Sequence, residues 1–295
     1  MKRIADVLAT PDEEQEWICN PYVGRQSITF LHGKTSIGKS PLSWELARTV
    51  SQGLPFLGWP TAQSRVLYLE ADTAEIVVRP RLRLMPQPIG DWRIAFFSGK
   101  TIDVKDPKSY IHLLFKEWQK ELQPELVIWN TLRQFYRGNA IDSDTVTQVY
   151  NAMLQSFPTA AHWVSAHDRK SSTEADSHEV EDEAFSGSAA WRDLAQVGLH
   201  LVKLEQKAGV MTLRLDHTKS QLSEMVQPVR LTLAANGTTV TSNVPSLARI
   251  EELWQEARSQ GIKDPETWVA ERLSISRATL FRIKRSLKRA KVSPL

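Results

Sequence analysis

Residues Gly33-Lys34-Thr35-Ser36-Ile37-Gly38-Lys39-Ser40 spell G-x-x-x-x-G-K-S. Glycines at these positions let successive backbone N–H groups curl around phosphate oxygens, and a helix starting at the end of the loop adds positive potential there. The last two residues complete the chemistry of a phosphate-binding loop. Lys39 reaches the β- and γ-phosphates of a nucleotide, and the Ser40 hydroxyl holds Mg²⁺. Gly33, Thr35, Ser36, Ile37, Gly38, Lys39 and Ser40 are thus candidate ligands of ATP, with Mg²⁺ at Ser40.

The pattern has chemical meaning only between a strand and a helix. Ser27-Ile28-Thr29-Phe30-Leu31 is an apolar, β-branched run, and Leu42, Leu46 and Val50 follow the loop at helical spacing. Pro41 falls in the first helical turn, where a missing N–H costs little. Strand and helix candidates then alternate. Arg65 to Leu69 ends in Glu70-Ala71-Asp72, and Ile76 to Leu84 is helical. Arg93 to Phe97 is a short strand candidate, and Lys108 to Leu122 is amphipathic, with Ile111, Leu114, Phe115 and Trp118 on one face. Leu126 to Trp129 is a continuous apolar run, typical of a strand buried on both faces, and ends in Asn130. Ser143 to Phe157 is a helix, and Ala161 to Ala166 a strand ending in His167. This alternation implies an α/β fold with a mostly parallel central sheet. Late hairpins follow, one around Gln206 to Gly209 and one around the Asn236-Gly237 turn. Residues 1–26 read as an N-terminal lead-in, and 171–184 as a polar, largely acidic surface loop.

Composition limits the alternatives. With 295 residues the chain can hold one large domain and a small one. Net charge is only +3, so any basic surface is local. A single cysteine, Cys19, excludes an internal disulfide framework and a cysteine metal cluster. No signal-peptide pattern and no apolar run near twenty residues occurs, so a cytoplasmic protein without membrane contact is expected.

From about residue 245 the chain turns helical and basic. Leu247 to Ser259 and Pro265 to Arg272 are amphipathic; Leu273-Ser274-Ile275 is a tight turn, and Ser276 can cap a third helix. Ala270 is small where two helices must cross, and Val269, Leu273, Ile275, Leu280 and Ile283 supply a core. This reads as a small all-α helix-turn-helix domain over 245–295, following an ATPase domain over 1–244. No acidic residue follows Glu271, while Arg277, Arg282, Lys284, Arg285, Lys288 and Arg289 accumulate. They are candidate DNA contacts.

The segments around Lys39, Glu70-Ala71-Asp72, Asn130-Thr131-Leu132, His167-Asp168 and Gly187-Ser188 together resemble the RepA-type hexameric replicative helicases of plasmids, within the RecA-like P-loop ATPases. The resemblance spans about residues 17 to 240. It implies a homo-oligomer, six-membered in that family, with ATP at each subunit interface. It places a catalytic glutamate at Asp72, with Glu70 two residues earlier as the alternative. It places a magnesium-shell aspartate at Asn130, a γ-phosphate sensor at His167, and a trans-acting arginine near Gln196, with Arg192 one helical turn away. Lys219 matches a lysine that reaches the neighbour's nucleotide. Thus the binding half matches, while Asp72, Asn130 and Gln196 depart from the hydrolytic half. Two functions stay open: a DNA-dependent ATPase or helicase, and an ATP-dependent DNA-binding regulator or initiator with weak or no turnover. A small-molecule kinase fits less well, since no arginine-rich lid segment is visible.

Overall fold

The computed structural model describes residues 3–4, 15–100, 102–139, 142–168, 189–245, 247–273, 275–277, 280–281 and 283–284. Strand β3 (Ile28–Gly33) feeds the loop, and helix α1 (Lys39–Gln52) leaves it. β4 (Val66–Glu70), α2 (Glu75–Leu82), β5 (Arg93–Phe96), α3 (Ile111–Leu122), β6 (Leu126–Asn130), α4 (Ser143–Ser156) and β7 (Ala161–His167) then alternate as the sequence implies. After α5 (Ala189–Leu194) come the long strands β8 (Val197–Lys207) and β9 (Val210–Ser220), then β10 (Val229–Leu233) and β11 (Val240–Ser242). The lead-in is more ordered than expected: β1 (Trp17–Cys19) and β2 (Val23–Gly24) form a two-stranded sheet.

The nine-stranded sheet has the order β11-β10-β9-β8-β3-β7-β6-β4-β5. The neighbours from β5 through β8 are parallel, and β8-β9-β10-β11 continue antiparallel. β3 therefore lies at the centre, and the loop, Glu70, Asn130 and His167 all fall at the carboxyl ends of neighbouring parallel strands. Ligands of open α/β sheets bind at this edge.

Strand side chains alternate between faces, and two apolar layers follow. Leu31, Tyr68, Ile128 and Trp163 pack with Leu42, Leu46 and Val50 of α1 and Val78 of α2. Phe30, Leu69, Trp129 and Val164 pack with Ile111 and Phe115 of α3, Val149 and Met153 of α4 and Trp191 of α5. Leu114 and Trp118 of the expected α3 face are only partly buried. The β8–β9 turn is tighter than expected. Its two residues, Ala208 and Gly209, have φ of 48° and 80°, the pattern of a two-residue hairpin turn matching the twist of its strands.

Helices α6 (Leu247–Ser259) and α7 (Pro265–Arg272) have the expected bounds. Asp264 caps α7, its carboxylate accepting from the Thr267 N–H. Ile250, Leu253, Ala257, Val269, Ala270, Leu280 and Ile283 are buried and continuous with the apolar layer of α1. Residues 277, 280–281 and 283–284 are helical. Arg282, Arg285, Lys288, Arg289 and the 171–184 segment lie outside the described residues.

Candidate functional site

The loop is shaped by backbone conformations that glycine favours. Gly38, the residue before α1, has φ 101°, and Ser36 adopts φ 61°. At Gly33 the need is space: an added Cβ would lie 2.6 Å from the Leu201 carbonyl oxygen and 2.6 Å from Ile37 Cδ1. The Ile37 side chain is buried beneath the loop, while Lys34, Thr35 and Ser36 are exposed.

Lys39 is 5% exposed. Its Nζ donates to the carbonyls of Gly33 and Lys34, both at 2.7 Å, and lies 3.1 Å from His167 Nδ1. Burial draws its pKa down to about 8, against the pull of Asp168 and Asp72. His167 is half-buried. Burial and the Lys39 ammonium both lower its pKa, and its Nδ1 also lies 3.4 Å from Thr35 Oγ1. An ammonium and an imidazole nitrogen thus meet under the loop, where the end phosphate of a nucleotide would fall.

On the other side of Lys39 a polar chain crosses two strands. Glu70 and Asn130 are paired in the β4–β6 register. The Asn130 amide Nδ2 donates to Glu70 Oε2 at 2.8 Å and lies 3.2 Å from Ser40 Oγ. Asn130 Oδ1 accepts from Ser165 Oγ at 2.7 Å and from Ser40 Oγ at 3.4 Å. Glu70 is fully buried. Its Oε1 accepts from the N–H groups of Asp72 and Thr73. Burial pushes the Glu70 pKa up to about 7, opposed by the Thr73 N–H, the Asn130 amide and the Asp72 N–H. Asp72 itself is exposed at the rim. The two acidic candidates therefore separate: Asp72 faces solvent above the loop, while Glu70 is sealed beneath it.

The cationic candidates sit elsewhere. Lys219 Nζ donates to the carbonyls of Arg192 and Asp193 at the end of α5, and burial lowers its pKa. Both Lys219 bonds go to α5 rather than to the loop. Gln196 has a structural place: Oε1 accepts from the Ile28 N–H, and Nε2 donates to the Leu194 carbonyl. In the C-terminal unit, Arg277 pairs with Asp264 and Glu266. Lys284 pairs with Glu266 and lies over the Trp254 ring. These candidate DNA contacts face carboxylates rather than a purely basic surface.

One cluster went unread in the sequence. His32 of β3 and His200 of β8, paired in register, share the Asp168 carboxylate: His32 Nδ1 to Oδ1 is 2.8 Å, and His200 Nε2 to Oδ2 is 3.3 Å. Burial pushes the Asp168 pKa up, but the hydrogen bonds from His200 and His32 outweigh it and hold the pKa at about 2. The three residues are far apart in sequence, so only the strand register could have revealed the cluster.

The AAA-domain family AAA_25 matches residues 2–173, more than half of the chain. The chain belongs to that family. Among solved structures it is similar to a KaiC-like protein from the hyperthermophilic archaeon Pyrococcus horikoshii OT3: TM-score 0.52, 8% identity, 76% of this chain and 93% of that one covered. It is also similar to a DnaB-like replicative helicase solved in a study of its interactions with primase: TM-score 0.56, 10% identity, 81% of this chain and 66% of that one covered. No curated protein matches its sequence. At these identities the likeness is one of fold, a RecA-like P-loop core. Among the described residues no helix is long and apolar enough to cross a membrane.

Proposed function

We propose that this member of AAA_25 is an oligomeric ATP-binding protein acting on DNA, an ATPase or helicase in plasmid or mobile-element replication. One observation carries the nucleotide part. The left-handed Ser36 and Gly38, the Gly33 close approach, the buried Lys39 and the Ser40–Asn130 pair converge at the carboxyl edge of the central strands. The donor set fits ATP with Mg²⁺: backbone N–H groups and one ammonium for phosphate oxygens, one hydroxyl beside a carbonyl-type oxygen for the cation.

ATP, when bound with Mg²⁺, supplies a γ-phosphoryl group activated for in-line transfer to water. Lys39 exchanges its two carbonyl acceptors for phosphate oxygens. Ser40 and Asn130 orient the cation side. Asp72, exposed and electrostatically coupled to Lys39 and His167, is assigned to hold the attacking water. His167 touches Lys39 and can report on what occupies the end of the loop. Arg192 and Lys219 are assigned to a neighbouring subunit's nucleotide, which makes the complete site a property of the ring. DNA contact is assigned to the C-terminal helices.

The neutral Asn130 favours a second reading, an ATP-dependent DNA-binding regulator with weak turnover. A turnover assay with Mg²⁺, with and without duplex DNA, separates the two. For both readings, Lys39→Ala is expected to weaken ATP binding at least about tenfold, about 1.4 kcal/mol. Unchanged affinity in a calorimetric titration refutes the loop assignment.

A further inference from the structure

Asn130 stands where the resemblance expects an aspartate, yet a carboxylate lies one hydrogen bond away. Glu70 ends the adjacent parallel strand in direct register with Asn130. Its two oxygens are held differently. Oε1 accepts from the N–H groups of Asp72 and Thr73, which fix the carboxyl group in place. Oε2 accepts from Asn130 Nδ2 at 2.8 Å. A primary amide presents one donor end and one acceptor end. Glu70 Oε2 accepts here, so it holds the Nδ2 end. Oδ1 is then turned toward the Ser165 hydroxyl at 2.7 Å, and the Ser40 hydroxyl lies beside both ends of the amide, 3.4 Å from Oδ1 and 3.2 Å from Nδ2. The backbone repeats the link, the Ala71 N–H donating to the Asn130 carbonyl at 2.7 Å. The strand ends therefore move as one.

We infer that Glu70 is the displaced anion of the magnesium site: a positioning residue that acts through Asn130, fixing its amide so that Oδ1 faces the cation beside Ser40 and placing behind it the negative charge that an aspartate at 130 would carry. This rests on the nucleotide reading of the loop. It divides the labour of the two acids at the end of β4. Glu70 is fully buried, and both its oxygens already accept hydrogen bonds from the protein, so it is not exposed to a water in the loop. Asp72, exposed above it, keeps that task. With Glu70 ionised, the Glu70–Asn130 pair has the same net charge as a family-type pair in which the aspartate is on β6 and a neutral residue is on β4. The acid has moved one strand sideways.

The test is a charge swap read by metal coupling, the ratio of ATP affinities with Mg²⁺ and with chelator, measured by calorimetry. Mn²⁺ binding to the ATP complex, followed by electron paramagnetic resonance, provides a second readout. Glu70→Gln is expected to reduce the coupling and weaken Mn²⁺ by at least about tenfold, while affinity in chelator stays within about twofold of wild type. The swapped double variant Glu70→Gln/Asn130→Asp is expected to regain most of the coupling. A purely structural Glu70 would not be rescued by an acid on the other strand. Should Glu70→Gln fail to fold, the double variant, which keeps one buried acid, is compared directly with wild type. The inference is overturned if Glu70→Gln leaves the Mn²⁺ and Mg²⁺ titrations unchanged, or if the folded double variant couples metal no better than Glu70→Gln, or, where only the double folds, falls at least about tenfold short of wild type. Failure of the nucleotide reading looks different: wild type then shows no ATP binding even in chelator, and this inference falls with it.

Discussion

Asp72 and Glu70 are two residues apart in sequence and opposite in environment, and the difference is testable at Asp72. An aspartate is one methylene shorter than the glutamate that the RepA-type resemblance implies. The side chain is exposed, so replacing it costs the fold little. Asp72→Glu is expected to raise ATP turnover several-fold. Asp72→Asn is expected to lower it by about 10²-fold or more, as loss of a base or water-holding group does. ATP affinity should be nearly unchanged in both, and steady-state kinetics beside calorimetry check this. Equal turnover in all three proteins would remove Asp72 from the reaction. Much of this site was legible in the sequence because its residues lie within one loop or at strand ends. Lys39, Ser40 and His167 fall together as the motif order implies. What was not legible was orientation. That Glu70 points inward to Asn130 while Asp72 points out depends on the β4–β6 register, which no local pattern encodes. The His32–Asp168–His200 cluster was hidden for the same reason.

The strands carry constraints of their own. At the end of β3, Gly33 is needed for room rather than for an unusual φ. Gly33→Ala sets a Cβ 2.6 Å from the Leu201 carbonyl oxygen, and backbone cannot step aside as a flexible side chain can. The expected loss is about 1–3 kcal/mol of stability, together with ATP affinity, read by denaturant melts and calorimetry. Next to it, the second residue of β7 is a buried neutral histidine. His162 Nδ1 accepts from Trp129 Nε1 at 3.1 Å, and burial lowers the His162 pKa from 6.5 to about 4. The sign follows directly. The unfolded chain takes up this proton before the folded one does, so the stabilisation is complete above about pH 6.5 and is lost as pH falls toward about 4. The full term is roughly 3 kcal/mol. His162→Phe removes it at the expense of the Trp129 hydrogen bond. The variant should therefore start less stable at neutral pH but lose less stability on acidification than wild type. Parallel acid slopes would show that His162 does not titrate in this way. Element bounds were read well where periodicity was strong, as in α4 and α6. The β1–β2 pair was missed because three- and two-residue strands leave no measurable period.

The parts now have to act as one molecule, and here the structure modifies the sequence reading most. The expected independence of the last fifty residues meets a continuous apolar layer: Ile250, Leu253 and Ala257 are buried in the same cluster as Leu42 and Leu46. Cutting the chain near Pro245 would therefore strip the cover from part of the apolar layer of α1, and a truncation tests DNA binding poorly. A surface change is cleaner. Glu266 faces both described cations of the proposed DNA face, with Lys284 Nζ at 3.2 Å and Arg277 Nη2 at 3.6 Å. All three side chains are substantially exposed, so these pairs contribute little to stability, on the order of 0–1 kcal/mol. For duplex binding they matter more. A phosphate approaching Arg277 or Lys284 must displace a carboxylate already there, which also repels it. Glu266→Gln removes both effects and leaves the side chain's size intact. It is expected to tighten duplex binding several-fold at low salt, with melting behaviour and ATP affinity unchanged. Since each cation freed for phosphate releases about one more counterion, the slope of log affinity against log salt should steepen by up to about two. Lys284→Ala is expected to do the reverse, weakening all sequences alike and flattening the slope by about one. If Glu266→Gln binds duplex DNA with the same affinity and the same salt slope as wild type, the α7 face does not meet the DNA backbone, and contact must be sought on the RecA-like core.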